Sequence, residues 1–513
     1  MANQDDAFKN IIAHCKEYGY VFQSSEIYDG LSAVYDYGPY GVELKKNIQD
    51  YWWKAMVQMH ENMVGIDAAI FMHPKTWKAS GHVDAFNDPL IDNRDSKKRY
   101  RADVLIEDFI AKIETKIEKE ISKAAKRFGD SFDADMFSNT NPRVQKYKEQ
   151  IERVNSRMKS ALEKNDLEAL KQIILDSEIS CPISGSRNWT DVRQFNLMFS
   201  TEVGSVAGEA ETIYLRPETA QGIFVNFLNV LNTSRQRLPF GIAQIGKSFR
   251  NEIVARQFIF RTREFTQMEM QFFIRPGEEM EWYNYWKETR MKWHRAIGFS
   301  EDDLRFHDHL KPAHYANAAV DIEYNFPFGI KELEGIHSRT DFDLTQHQEL
   351  SGKKLQYFDP ELSKNYVPYV VETAIGLDRM FLAVICNALQ EEIVDEEKNT
   401  SRIVLKIHPV LAPVKVAVLP LVRKDNLPEK AKEIFKRLKF DFNCYYEEKD
   451  SIGKRYRRQD AIGTPYCITI DHQTLEDEKV TIRERDSMEQ ERIPIDRVEQ
   501  IVAEKVNWRN VLN

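Results

Sequence analysis

The stretch that most constrains the fold is residues 260–271, FRTREFTQMEMQ. Side chains of a β-strand alternate between the two faces of a sheet, so these residues fall into two sets. One set becomes apolar through two methionines, whereas the other stays polar through two glutamines and Glu269. Residues 241–253, GIAQIGKSFRNEI, alternate in the same way. The two stretches predict neighbouring strands that share one polar face.

Composition and charge exclude several classes of protein. The chain has 513 residues, 42% hydrophobic and 30% charged, which is typical of a globular protein. No run approaches the ~20 continuous apolar residues of a membrane span. The first residues, MANQDDAFKN, lack the apolar segment of a secretory signal. Five cysteines without a Cys-x-x-Cys pair favour a reduced, cytoplasmic protein, and the net charge of −9 means that any contact with nucleic acid is local.

The sequence predicts a helix and a strand near the start of the chain and a small separate domain at its end. Residues 41–59 have the spacing of an amphipathic helix, and 63–71 resemble a strand. This pair is either part of the core or, given the aromatic Tyr51, Trp52 and Trp53, a dimer seam. After a proline-containing linker, the last ~100 residues alternate strands and helices as a small α/β domain does.

Residues 104–178 are rich in charge and have helical spacing, with isoleucines three or four positions apart. They predict two or three surface helices inserted into a domain, and a helix from about 376 to 394 is predicted further on. Such an insertion is usually a solvated excursion, and a role in RNA binding is the alternative.

Arginines and glutamates recur on the predicted strands and at strand–helix junctions. Besides the two strands above, they occur in YLRPETAQGIF at 214–224 and in VVETAIGLDRMFLAV at 370–384. Mutual ion pairing inside a sheet is one explanation. The other is a nucleotide cradle, in which arginines bind phosphate oxygens, a ring stacks on the base and carboxylates bind an amine or a metal.

The motifs SFRNE, FRTREFTQMEMQFF and GLDR resemble motifs 2 and 3 of class II aminoacyl-tRNA synthetases. YDYGPYGVELKKNI, ASGHVDAFNDPLID, RPETAQGIF and TDFDLTQHQ resemble the α2 glycyl-tRNA synthetase family. This family resemblance implies an α+β fold, in which an antiparallel-sheet catalytic core with a helical insertion is followed by a mixed α/β anticodon-binding domain. The implied divisions are a catalytic domain at 1–400, motif 1 at 38–71, motif 2 at 241–273, motif 3 at 370–390, an insertion at 104–180 and an anticodon-binding domain at 401–513.

The resemblance also implies a reaction and its partners. A cytoplasmic homodimer would join glycine to glycine tRNA through a glycyl-adenylate, with ATP and Mg²⁺. Arg250 would hold the α-phosphate, and Arg261 and Arg379 the β/γ end. Phe265 would stack on adenine, Glu252 would bind its amino group, and Glu332 would carry Mg²⁺. The remaining expected ATP-site residues are Asn251, Phe260, Thr262, Arg263, Glu264, Leu333, Gly376, Leu377 and Asp378.

By the same resemblance, Glu218 and Glu269 would bind the ammonium group of glycine. The other residues expected near glycine are Arg101, Phe265, Thr266, Gln267, Met268, Glu372, Thr373, Ala374, Ile375 and Gly376. Ala374 departs from the Glu-Pro-Ser usual in the family, which puts serine at this position.

Two metal sites are not expected. The stretch CPISGS has Ser184 where relatives have a second cysteine, so no zinc is predicted. His307, His309 and His314 are more typical of surface or packing residues than of ligands.

Two alternatives stay open. One is another class II specificity, such as threonine, proline, serine or histidine. The other is a non-catalytic RNA-binding relative, which the presence of the three phosphate arginines disfavours.

Overall fold

The computed structural model describes residues 2–128, 132–204, 211–253, 257–309, 313, 315–395 and 400–512. These residues divide into two compact units. One comprises Gly81–Met198 and the segment that starts at Asn251, and the other comprises the remaining described residues. In the part of the chain described, no helix is long and apolar enough to cross a membrane.

Helices and strands are mixed along the whole chain. The helices are α1 (Ala2–Glu17), α2 (Pro39–Trp53), α3 (Pro74–Ala79), α4 (His82–Ala85), α5 (Ala102–Phe128), α6 (Ala134–Thr140), α7 (Pro142–Glu163), α8 (Leu167–Asp176), α9 (Ala220–Val225), α10 (Phe227–Thr233), α11 (Glu279–Arg295), α12 (Phe342–Ser351), α13 (Leu377–Ala388), α14 (Leu427–Leu438), α15 (Ile452–Ala461), α16 (Thr474–Asp477) and α17 (Val498–Lys505). The strands are β1 (Val21–Gln23), β2 (Tyr35–Tyr37), β3 (Met63–Gly65), β4 (Asn87–Asn93), β5 (Lys98–Arg101), β6 (Arg193–Asn196), β7 (Ser200–Val203), β8 (Glu211–Tyr214), β9 (Phe240–Phe249), β10 (Glu264–Ile274), β11 (Leu304–Asp308), β12 (Ala318–Phe326), β13 (Gly329–Thr340), β14 (Tyr357–Asp359), β15 (Lys364–Tyr366), β16 (Tyr369–Gly376), β17 (Leu389–Asp395), β18 (Thr400–Leu405), β19 (Val416–Pro420), β20 (Cys444–Tyr446), β21 (Tyr466–Ile470), β22 (Lys479–Glu484) and β23 (Gln490–Pro494).

The central element is a seven-stranded sheet in the order β11-β12-β13-β16-β10-β9-β3. Its strands pair antiparallel except for β3, which runs parallel to β9. Met268 and Met270 on one face of β10 are buried in the main apolar core together with residues of α2, α11 and α13. The mostly antiparallel sheet and the alternation along β10 are therefore confirmed.

Helix α2 belongs to the core of its own chain. Proline at its first position and Gly38 as the N-cap begin it, and a π-helical turn, Lys54–Gln58, continues it. Tyr51 and Trp52 are fully buried, and the Tyr51 ring stacks on Trp293 of α11 at 4.7 Å between centroids. These two side chains pack internally, so they are not available for a dimer seam.

The predicted helix at 376–394 is too long. Helix α13 ends at Ala388, and Leu389 already has extended backbone angles. Residues from Leu389 onward pair with β18 as an antiparallel ribbon. The apolar pattern of α13 continues into this strand, which is why periodicity alone did not show the boundary.

The inserted segment forms a compact unit with its own core, and the prediction of solvated surface helices is wrong in this respect. Helices α5, α7 and α8 surround a buried cluster that includes Ile106, Ile110 and Ile173. The sheet β5-β4-β6 contributes Ile91 and Tyr100 to this cluster. The helical character was predicted correctly, but the strands that complete the unit lie outside the charged stretch.

The C-terminal domain has a five-stranded sheet, β20-β19-β21-β22-β23, with β19 parallel to both of its neighbours. It contacts the N-terminal helix of the same unit. His14 Nε2 lies 2.9 Å from the carbonyl oxygen of Ala461, and the Tyr20 hydroxyl donates to the Ile462 carbonyl at 2.8 Å. Burial lowers the pKa of His14 to about 4.

The lowered pKa of His14 predicts that the protein loses stability in mild acid. A pKa lowered from 6.5 to about 4 means that the unfolded chain takes up the proton first. The contribution is complete above pH 6.5 and is lost as the pH falls towards 4, by on the order of 3 kcal/mol. We expect the urea midpoint of the wild type to fall more steeply between pH 7 and pH 5 than that of His14→Gln. Equal slopes for the two proteins would contradict the assignment.

Candidate active site

The floor of the candidate site is the polar face of β9, β10, β16 and β13. Glu269 on β10 lies opposite Gln244 on β9 and Ala374 on β16. Ala374 in turn lies opposite Gly335 on β13. One row of side chains therefore crosses the sheet, and on the β16 side of Glu269 this row carries only the methyl group of Ala374 and the hydrogen atom of Gly335. A small space next to a carboxylate follows from the strand register alone.

The predicted strand starts later than the sequence pattern indicated. β10 begins at Glu264, so placing Arg261 and Arg263 within the strand is wrong. The Arg263 amide donates to the Ala33 carbonyl at 2.9 Å, and its Nη1 donates to the Ser32 carbonyl at 3.2 Å. These bonds join the β9–β10 connection to the loop between β1 and β2. Both arginines thus lie in the connection that leads into the strand.

Carboxylates cluster at the middle of this face. Gln271 Nε2 donates to Glu269 Oε1 at 2.9 Å and to Glu372 Oε2 at 2.6 Å, so one amide joins the two side chains. The Thr219 hydroxyl donates to the other Glu269 oxygen. Glu269 and Glu372 are only 2% and 4% exposed, and Glu218 is near enough for its charge to act on Glu269.

The pKa values of Glu269 and Glu372 are shifted in opposite directions. Burial, followed by the charges of Glu372 and Glu218, raises the pKa of Glu269 well above its usual value. Burial also opposes ionisation of Glu372, but the charge of Arg339 and the hydrogen bond from His337 outweigh it and lower the pKa. The distance between His337 Nδ1 and Glu372 Oε1 is 2.8 Å. A cation placed between the carboxylates would relieve their repulsion.

Arg339 fixes the far side of the cluster. Its guanidinium donates to both oxygens of Asp343 at 2.8 and 2.9 Å and to Glu372 Oε2 at 2.9 Å. Gln221 Nε2 donates to Asp343 at 3.1 Å and to Glu218 at 2.9 Å. Such forked bonds hold planar groups in one orientation. The geometry of the carboxylates is therefore set before any ligand arrives.

The arginine end of the face begins where β9 ends. Arg250 Nε donates to the Pro217 carbonyl at 3.0 Å, and its guanidinium carbon lies 5.3 Å from the centroid of the Phe265 ring. A planar cation beside a half-buried ring is a surface suited to an adenine base and its phosphates.

Arg379, at the start of α13, lies near the same end. Its Nη1 is 3.2 Å from Glu332 Oε2, and its guanidinium carbon is 4.5 Å from the Phe260 ring centroid. The charge of Arg379 lowers the pKa of Glu332, and Arg250 adds to the effect. The structure thus brings together both arginines, Phe265 and Glu332, as expected from the sequence.

Several other predicted residues have side chains that point into the protein. The Asp378 carboxylate points into the protein, where it accepts from the Tyr37 hydroxyl, from Lys45 Nζ at 2.7 Å and from the Thr266 amide at 2.7 Å. Asp378 therefore ties the three motifs together. The predicted residues whose side chains lie in the apolar core are Phe260, Met268, Leu333, Ile375 and Leu377.

Three predicted residues belong to the unit that contains the insertion. Arg101 pairs with Asp88 at 3.1 Å and with Asp103 at 2.6 Å. Asn251 and Glu252 are part of the same unit, and the Asn251 amide donates to the Leu197 carbonyl at 2.8 Å.

Sequence reasoning missed the residues that support the cluster. Asp343 lies within the stretch TDFDLTQHQ and Arg339 directly precedes it, but the family resemblance implied no role for either residue or for His337. Gln221 lies in the quoted stretch RPETAQGIF, three residues after Glu218, and this closeness in sequence is the signal that points to it.

The histidines and the cysteine that were considered as possible metal ligands contact other side chains and backbone groups. His309 Nε2 lies 2.8 Å from Asp321 Oδ2, and His307 Nδ1 is 3.6 Å from Glu323, while His314 lies outside the described residues. Cys181 accepts from the Ser184 amide at 3.5 Å. Among the residues that the structure describes, no group of three or more His, Cys, Asp or Glu side chains forms a metal-binding cluster.

Comparison with known proteins agrees with this geometry, because the core and the C-terminal domain are those of a class II aminoacyl-tRNA synthetase. The family model described as tRNA synthetase class II core domain (G, H, P, S and T) matches residues 199–388, and the anticodon binding domain matches 415–505. Glycyl-tRNA synthetase insertion domain 1 matches 88–197.

The relatives narrow the class to one family. A glycine--tRNA ligase of Staphylococcus haemolyticus is 50% identical over 97% of this chain and 98% of its own length. One of Chlorobaculum tepidum is 49% identical over 97% and 99%, and one of Staphylococcus saprophyticus is 50% identical over 98% and 99%. The chain belongs to the glycine--tRNA ligase family.

Proposed function

We propose that this chain catalyses the ATP-dependent attachment of glycine to glycine tRNA through a glycyl-adenylate. The observation that carries this proposal is the row on the sheet in which the buried Glu269 adjoins Ala374 and Gly335. A ligand in this space needs a cationic group and no side chain. Among amino acids, this description fits glycine.

The first step requires positioning more than proton transfer. The carboxylate of glycine is ionised at neutral pH and attacks the α-phosphorus of ATP without a general base. Arg250 stabilises the charge that grows on the α-phosphate, while Arg261 and Arg379 bind the β and γ phosphates. Phe265 stacks on adenine, and Glu252 accepts from its amino group. Pyrophosphate leaves, and a ribose hydroxyl of the 3′-terminal adenosine of the tRNA then attacks the adenylate carbonyl, which forms the ester and releases AMP and a proton.

Glycine is held by its ammonium group. Glu218, Glu269 and Glu372 surround this group with negative charge, and the support from Arg339 keeps Glu372 ionised. An amino acid with a side chain would overfill the space above Ala374, which costs about 1–3 kcal/mol or more. Ala374 is smaller than the serine usual in the family, so exclusion of a larger amino acid would depend on the backbone of β16 and β13 at Ala374 and Gly335.

Mg²⁺ fits the residues beside Arg379. Burial and then the charge of Glu332 raise the pKa of Asp321, so two carboxylates repel each other here. Carboxylate oxygens are the ligands that Mg²⁺ prefers, and Glu332 with Asp321 would hold it. When bound, the ion would neutralise charge on the β and γ phosphates.

We also propose a homodimer in the cytoplasm, without zinc, whose seam is formed by residues 38–71 other than the buried Tyr51 and Trp52. We propose that the chain consists of a catalytic domain at 1–400, which contains the insertion at about 104–180, and an anticodon-binding domain at 401–513. Light scattering on the purified protein and metal analysis by mass spectrometry would test these statements. A monomer, or stoichiometric zinc, would contradict them.

The raised pKa of Glu269 predicts pH-dependent binding of glycine. A protonated Glu269 cannot neutralise the ammonium group, so the KM for glycine should fall as pH rises through this pKa. We expect the decrease to be steepest over the pH range in which Glu269 loses its proton. Glu269→Gln should raise the KM and remove this dependence, whereas the KM for ATP should stay nearly constant. A flat profile for the wild type would refute the role of Glu269.

The test of the proposed function is amino-acid-dependent exchange between ATP and pyrophosphate, without tRNA. Glycine, alanine, serine, threonine and proline are compared in parallel. We expect exchange with glycine alone. Exchange with another amino acid would keep the class and change the specificity, and no exchange from folded protein would favour the non-catalytic alternative.

A further inference from the structure

A cavity of about 530 Å³ lies between α3, α10 and α12. We call it the α12 cavity. Its volume lies within the range of about 300–1,000 Å³ that is typical of sites for small ligands. None of the roles proposed above uses it.

The lining of the α12 cavity has a consistent chemistry. Leu228, Leu350 and Leu355 give it an apolar wall, while Lys75 and Lys353 with His73 supply cationic groups. No carboxylate is among the described residues that line it, although the chain as a whole has a net charge of −9. Apolar wall and cationic groups together suit a small organic anion with an apolar body.

One buried side chain joins this cavity to the candidate active site. His347 lines the cavity and is 6% exposed, and its Nε2 lies 2.7 Å from Gln221 Oε1. The amide nitrogen of Gln221 donates to Glu218 at 2.9 Å and to Asp343 at 3.1 Å. Two hydrogen bonds therefore separate the cavity wall from a carboxylate that would bind glycine.

The charge state of this link responds to an anion. Burial lowers the pKa of His347, so the ring is neutral near pH 7, and it donates to Gln221 through Nε2. An anion in the cavity would favour the protonated ring. A charged ring changes the strength of the bond to Gln221 and, through it, the charge distribution around Glu218.

We propose that the α12 cavity is a regulatory site for a small organic anion with an apolar body, coupled to the glycine site through His347 and Gln221. The coupling rests on the proposed function, whereas binding in the cavity does not. Coupling between two sites is reciprocal, so each ligand changes the affinity of the other by the same factor.

The test uses 8-anilinonaphthalene-1-sulfonate as the probe and the full-length protein. Binding of the probe is followed by fluorescence, with and without saturating glycine. Binding of glycine is followed by calorimetry, with and without saturating probe. We expect saturable binding of the probe and a change of at least about threefold in glycine affinity, mirrored in the probe affinity.

Three variants and one control show where the probe binds and how its binding is coupled to that of glycine. Leu228→Trp fills the cavity and Lys353→Glu reverses its charge, and each should weaken the probe at least about tenfold. Lys292→Glu, an exposed position on α11, is the matched control and should leave binding unchanged. His347→Gln should keep the probe bound and change the coupling factor.

The outcomes separate the two proposals. Probe binding that is the same in wild type, Leu228→Trp and Lys353→Glu would overturn the site, and Lys353→Glu decides this even if Leu228→Trp does not fold. Probe binding in the cavity with no effect on glycine affinity would overturn the coupling. Specific probe binding in a protein that does not bind glycine would support the cavity and overturn the proposed function.

Discussion

Arg250→Ala is expected to reduce glycine-dependent ATP–pyrophosphate exchange at least about a thousandfold. Arg250 follows directly on β9, and its guanidinium carbon lies 5.3 Å from the Phe265 ring. Charge develops on the α-phosphate in the transition state, and a fixed cation there lowers the barrier more than it strengthens binding of ATP. The loss should therefore fall on kcat more than on the KM for ATP.

The fold should survive this change, because Arg250 is only half-buried and lies outside the apolar core. Lys247→Ala is the matched control. Lys247 lies on β9 three residues before Arg250, is 44% exposed and pairs with Glu264 at 2.7 Å, and its side chain takes the face of β9 opposite that of Gln244. It should change exchange less than about threefold. An Arg250→Ala protein that melts normally and keeps most of its exchange activity would remove the α-phosphate role.

Much of the site could be predicted because its pattern is local. The alternation along β10 is visible in eleven consecutive residues, and it placed Gln267, Glu269 and Gln271 on one face. Burial of charge is expensive, so a polar row beside an apolar row already indicates a ligand. Recognising the motifs then supplied the roles, which neither composition nor spacing supplies.

The partners of the cluster could not be predicted, because they depend on pairing between distant strands. His337 meets Glu372 only because β13 lies beside β16 in one particular register. A register shift of one residue would turn His337 and Arg339 to the other face. The strands are separated by α12 and the β14–β15 hairpin, so no local pattern fixes how they pair.

A bulge in β13 likewise prevented the positions of Glu332 and Glu334 from being predicted from the sequence. They are two residues apart, and an unbroken strand would place them on one face. The pairing shifts at this point, so that Glu334 opposes Ile322 and Glu332 opposes Glu323. An extra residue in one strand changes which face the next side chain takes. Glu332 accordingly lies near Arg379, whereas Glu334 points into the core.

Glu334→Gln is expected to destabilise the protein by about 3–5 kcal/mol. Glu334 Oε1 accepts from Arg290 Nε at 2.6 Å, and Oε2 lies 2.7 Å from His294 Nε2, with all three side chains fully buried. Burial works against ionisation of Glu334, but Arg290 and His294 lower its pKa, so the carboxylate is charged. The amide has the same shape but leaves the Arg290 charge without its counterion.

The control for this substitution is Glu323→Gln on the neighbouring strand. Glu323 pairs with Arg305, which is 56% exposed, so water can solvate the guanidinium when the carboxylate is removed. Pairs of this kind contribute about 0–1 kcal/mol. Urea unfolding of the two variants should therefore separate them by several kcal/mol. Equal losses would mean that the buried cation finds other compensation.

Glycine-dependent ATP–pyrophosphate exchange should separate the roles of Glu334 and Glu332, which lie on opposite faces of β13. Below its melting temperature, Glu334→Gln should retain glycine-dependent exchange, because the Glu334 carboxylate lies on the core side and reaches no part of the candidate site. Glu332→Gln should do the opposite and lose exchange at nearly unchanged stability, since Glu332 is 51% exposed. If both variants lost stability and neither lost exchange, the bulge would not divide structural from functional carboxylates.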